Sequence, residues 1–61
     1  MNDIITELET LFRRFSEESS KNFNNGNKAA GARARKASLA IEKKLKEYRA
    51  KSVEFDRNAG K

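Results

Sequence analysis

The sequence contains no cysteine, histidine, proline or tryptophan. Without cysteine and histidine there is no disulfide framework, no Cys/His zinc site, no thiolate nucleophile and no imidazole to act as a general base or to activate a serine. The expectation is a non-enzyme with no catalytic residues, no metal, no cofactor and no small-molecule substrate. Long apolar runs are missing too. The longest is Leu39-Ala40-Ile41, against the roughly 20 residues a membrane-spanning helix needs. The opening Met1-Asn2-Asp3-Ile4-Ile5 has neither the basic start nor the apolar stretch of a secretory signal. These features predict a cytoplasmic protein that does not enter a membrane.

Apolar residues are also scarce, at 36% where an ordinary globular domain has about 45–50%. A chain of 61 residues has room for one domain, here taken as 1–61. Chains below roughly 70–80 residues usually need disulfides, a metal or a partner subunit to hold a fold. The first two are excluded, so self-association into a dimer or larger assembly is expected.

What is present favours helix. Leu, Ala, Glu, Lys and Arg dominate, and no proline interrupts them. In the first half Ile4, Leu8, Leu11 and Phe15 recur at spacings of four, three and four. Ile5 and Phe12 widen that amphipathic stripe, and Asp3, Glu7 and Glu9 suit the positive end of a helix dipole. The run Asn22-Phe23-Asn24-Asn25-Gly26-Asn27 reads as a stop, with a left-handed glycine and with Asn27 capping the next helix. Beyond it Ala34, Ile41, Tyr48 and Phe55 lie seven apart, with Ser38, Leu45 and Ser52 between them, as in a heptad seam. The predicted fold is all-α: an antiparallel hairpin with a helix over about 3–23, a turn at 24–27, a longer helix over about 28–57 and a frayed tail at 58–61. Its core and oligomer contacts would be Ile4, Leu8, Leu11, Phe15, Ile41, Leu45, Tyr48 and Phe55, assembled as a coiled-coil-like bundle. Gly31 is a weak point in the second helix, costing about 1 kcal/mol against alanine.

Charge is uneven. Residues 1–26 hold three bases against five acids, a net −2, whereas residues 27–61 hold eleven bases against four acids, a net +7. No acid occurs between Glu18 and Glu42, and nothing inside that window can neutralise Lys21, Lys28, Arg33, Arg35 and Lys36. Local pairs at i, i+4 account for part of the remainder: Glu42 with Lys46, Lys43 with Glu47, Glu47 with Lys51, and the alternation Glu9, Arg13, Glu17, Lys21. The opening of the second helix is different, because four cations there add to the positive dipole end and oppose helix stability. A phosphate-bearing partner would reverse that cost, through backbone amides and basic side chains meeting on one anion. Lys28, Arg33, Arg35, Lys36, Lys43, Lys46 and Arg49 are the candidate contacts to double-stranded DNA. Aromatics fall at core spacings and no base-reading motif is present, so binding would follow backbone charge and not sequence. Two rival readings use the same residues: a coiled-coil interaction or scaffold protein whose charges serve solubility or an acidic partner, and an amphipathic helix lying on an anionic membrane. The absence of tryptophan weighs against the latter.

The segment Gly26-Asn27-Lys28-Ala29-Ala30, followed by Arg33, Arg35, Ser38, Glu42-Lys43, Lys46, Tyr48-Arg49 and Ser52, resembles the chlamydial linker-histone-like nucleoid proteins and their short bacterial relatives. The resemblance covers about half the chain, from Gly26 to roughly Arg57. It implies DNA binding, nucleoid compaction and a helical region that promotes self-association. Chlamydial members carry a long Lys/Ala/Pro-rich tail regarded as the main DNA-condensing part, whereas this sequence stops at Lys61. The resemblance then implies that the second helix carries any DNA contact.

Overall fold

A computed structural model describes residues 2–59 as two α-helices, α1 (Asn2–Asn25) and α2 (Lys28–Ala59). They form an antiparallel hairpin of 52 × 14 × 13 Å. No strand occurs among the described residues. Both helices run further than their sequence patterns suggest, because neither Asn24 nor Asn25 is a helix breaker; only Gly26 and Asn27 lie outside. Asp3 sits inside the first turn, where a carboxylate complements the dipole. Asn58 and Ala59 continue α2, and Gly60 and Lys61, the remainder of the expected tail, lie outside the described residues.

The reversal is specified by three residues. Gly26 adopts φ +65°, a conformation that costs glycine nothing, and its amide donates to Asn22 O at 3.0 Å to close an αL cap. Asn27 Oδ1 accepts from the Ala30 amide at 3.0 Å, the N-cap bond that satisfies an amide at the start of α2. Asn22 Nδ2 then donates across the turn to Asn27 O at 3.0 Å. This last bond ties the end of α1 to the start of α2.

Small residues let the helices approach. Ala30, Gly31, Ala34 and Ala37 of α2 are buried, followed by Ile41, while among the described residues Ile4 is the buried residue of α1. Leu8, Leu11, Phe15 and Leu45 are half-buried at the same seam. Ser38 does not belong to it: the seam steps from Ala34 to Ala37, and the Ser38 hydroxyl faces solvent and donates to Arg35 O at 2.7 Å. A heptad drawn through Ser38 therefore misplaces one row in the first half of α2.

Length decides the other departure. At 1.5 Å per residue α1 spans about 36 Å and α2 about 48 Å. Two cross-helix ion pairs, Glu7–Lys44 and Glu18–Arg33, share one register in which facing residue numbers add to 51. Asn2 thus faces Arg49, and Ala50 to Ala59 run past α1 for about 15 Å. Phe55, a seam residue by spacing, is consequently 61% exposed, and Tyr48 sits at the open edge at 37%. Ile5, Phe12 and Phe23 flank the α1 stripe and also remain exposed, Phe23 at 84%. Leu39 and Val53 point away from α1, as helical spacing requires.

Gly31 is not a defect at this seam. A Cβ built on it would lie 2.5 Å from Asn22 Nδ2 and 2.9 Å from Asn22 Cγ, so alanine would push Asn22 out and break its bond to Asn27 O. The roughly 1 kcal/mol that alanine contributes to an exposed helix should therefore be cancelled in the wild-type chain. It should reappear in an Asn22→Ala background. Urea denaturation of the four chains of this double-mutant cycle measures the coupling; simple additivity would show that Asn22 does not set the requirement.

Candidate nucleic-acid interface

On α2 the cations divide by direction. Taking the Ala34–Ile41 side as the inner face and 100° per residue, Lys28, Arg35, Lys36, Lys43 and Lys46 project outward, and all are exposed. Arg33, Lys44 and Lys51 occupy one flank, and Arg49 the other. Among the described residues, Lys28, Arg35, Lys36, Lys43 and Arg49 have no carboxylate within 4.0 Å. Lys46 reaches Glu42 at 3.9 Å, an exposed i, i+4 pair of a kind that contributes little.

Arg33 is the exception. Its Nε donates to Glu18 Oε2 at 2.8 Å, and Lys21 approaches the same carboxylate at 3.9 Å. The lack of acids between Glu18 and Glu42 in sequence thus fails to isolate Arg33, because the hairpin folds Glu18 back onto it. A second expectation also changes: the Ala30 amide, which would have faced an anion, is already occupied by Asn27. The open charge of α2 thus includes the side chains of Lys28, Arg35, Lys36, Lys43 and Arg49, while the capped Ala30 amide and the paired Arg33 at the helix start are already engaged.

Lys44 is also internal to the fold. It pairs with Glu7 across the seam and with Glu47 at 3.4 Å on its own helix. Hydrogen bonding to Glu7 is the largest of the effects that hold its ammonium above the ordinary lysine pKa; partial desolvation opposes it, and the charges of Glu47 and Glu7 reinforce it. Since Lys44 takes Glu47, the expected Lys43–Glu47 and Glu47–Lys51 pairs do not form.

The hairpin adds one cation that spacing along either helix does not single out. Arg14 of α1 faces Ala37 in the common register, and with Arg33 and Lys36 it surrounds an open groove of about 350 Å³ lined also by Leu11, Ala37 and Ala40. The antiparallel register, applied to the two halves of the sequence, would have found it. On α1 a second hollow of about 570 Å³ is bounded by Phe12, Phe15 and Phe23 and by the small side chains of Ser16, Ser19 and Ser20. The charged and aromatic grooves lie on opposite sides of the hairpin, because Arg14 and Phe12 fall on opposite flanks of the α1 stripe.

No cluster of three potential metal ligands occurs among the described residues, and no helix there is long and apolar enough to cross a membrane. A basic edge on a two-helix scaffold is suited to meeting an extended polyanion.

A protein-family model describing the histone H1-like protein Hc1 matches residues 2–58. The chain belongs to this family, whose members are structural DNA-binding proteins and not enzymes. No curated protein and no solved structure matches the chain.

Proposed function

We propose that this hairpin binds double-stranded DNA through backbone phosphates, without reading sequence, and helps organise a bacterial nucleoid. The observation that carries the reading is the outward row Lys28, Arg35, Lys36 and Lys43 of α2, exposed and with no carboxylate within 4.0 Å among the described residues. Family membership supports it independently. Such a row follows a phosphate backbone by charge, and lysines on flexible stems tolerate any base sequence beneath. Lys46, Arg49 and Arg33 extend the positive surface, Arg33 only in competition with Glu18.

Self-association belongs to the same reading. One hairpin leaves Ile5, Phe12 and Phe23 on α1 and Val53 and Phe55 on the overhang open to water, and among the described residues no large side chain is fully buried. Covering the aromatic side with a second copy would leave the basic edge free and multiply weak patches through effective concentration. A scaffold protein with no nucleic-acid role would use the same aromatic side and leave the lysine row idle.

Sedimentation of the chain with and without a duplex of arbitrary sequence, across a salt series, separates the two. DNA binding through about four phosphates per protomer gives a slope near −3.6 in log affinity against log salt. Stable oligomers that ignore DNA even in dilute buffer would establish the scaffold reading instead.

A further inference from the structure

We infer that the groove between the helices, where Arg14 of α1 stands with Arg33 and Lys36 of α2, seats a phosphate of duplex DNA, and that Glu18 competes with that phosphate for Arg33. The inference rests on the DNA-binding reading above and deepens it, since it extends the contact surface from the outer edge of α2 onto α1. Three cations from two helices converge on this groove. Among the described residues Arg14 and Lys36 have no carboxylate within 4.0 Å, so their charge is available to an anion. Lys36 belongs both to the groove and to the outward row. A backbone lying along Lys28, Lys36 and Lys43 therefore passes the groove mouth.

Arg33 is held in reserve. Its hydrogen bond to Glu18 uses Nε, one of the five N–H donors of a guanidinium, and its side chain stays 49% exposed while that of Glu18 is only 13% exposed. The arginine can thus present its remaining donors to a phosphate, but the carboxylate beside it repels that phosphate and takes part of its charge. Removing the Glu18 charge should tighten binding more than removing the same charge elsewhere on α1. Glu17 provides the comparison: it is adjacent in sequence and exposed, and it has no basic group within 4.0 Å among the described residues.

The test compares neighbours of equal charge in the full chain, by fluorescence anisotropy with a short duplex over a salt series. Arg14→Gln should weaken binding about eightfold near 0.1 M monovalent salt and reduce the magnitude of the salt slope by about 0.9, the loss of one phosphate contact. Arg13→Gln makes the same change in net charge but lies on the side of α1 turned away from α2, and should weaken binding by less than about twofold. Glu18→Gln should strengthen binding several-fold beyond Glu17→Gln. Equal effects within either pair, in chains that keep their helical circular dichroism, would overturn the groove and leave DNA binding by the outer edge intact. A wild-type chain that shows no salt-sensitive binding would overturn both. If Glu18→Gln unfolds the hairpin, the two exposed arginines still decide the matter, since neither holds the helices together.

Discussion

Converting Lys28, Arg35, Lys36 and Lys43 together to glutamine is expected to lower the affinity for a duplex by three to four orders of magnitude near about 0.1 M salt, and to flatten the salt slope by about 3.6. Each neutralised phosphate releases close to one condensed cation, so the loss accumulates contact by contact. The four side chains project from the outer face of α2 and none has a carboxylate within 4.0 Å among the described residues. Their replacement breaks no ion pair and opens no cavity. Glutamine has nearly the helix propensity of lysine and arginine, and removing Lys28 from the first turn relieves repulsion with the positive dipole end. Helical signal should hold or rise while DNA affinity collapses. That opposition separates a lost interface from a lost fold. Anisotropy at four salt concentrations, with circular dichroism on the same samples, reads both quantities; a loss of less than about tenfold would place the contacts elsewhere on the molecule.

The elements of the hairpin were legible because their signals are local. Gly26 and Asn27 mark a stop and a start through backbone and side-chain preferences that act within four residues, and Gly26 indeed takes φ +65°. The stripe of Ile4, Leu8, Leu11 and Phe15 likewise needs no knowledge of its partner. Row by row the seam was harder, since Ser38 and Ala37 both lie near the inner face of α2 and only contact with α1 selects the smaller, apolar one. The candidate interface divides in the same way. The outward direction of Lys28, Lys36 and Lys43 emerges from counting 100° per residue. The tie between Arg33 and Glu18 spans fifteen positions, and the convergence of Arg14 with Lys36 spans more. Both depend on the register of two helices, which is set by close packing on Ala30, Gly31 and Ala34 and by no pattern within either helix.

Truncating Ile41 should come near to unfolding the hairpin. Ile41 is the only large apolar side chain of α2 that is buried among the described residues, at 6% exposed, and it comes after the run of small residues on which α1 rests. An Ile→Ala change at a buried position costs about 2–5 kcal/mol. A core this size rarely supplies more than about 3–5 kcal/mol in all. Ile41→Ala should therefore leave a chain with little or no cooperative thermal transition. Leu39→Ala, two residues away and 67% exposed, should shift stability by no more than about 0.5 kcal/mol. Phe55→Ala distinguishes a lone hairpin from an assembled one. On the overhang of a lone hairpin Phe55 lies past the end of α1 and is 61% exposed, and its loss should be as mild as that of Leu39. Where a second copy covers the overhang, the cost of removing Phe55 should grow with protein concentration, because stability and assembly are then linked by mass action. Melting curves of all three variants over a hundredfold range of concentration provide the reading. A mild Ile41→Ala phenotype at the lowest concentration would mean that the seam around Ile41 is not what holds α1 against α2.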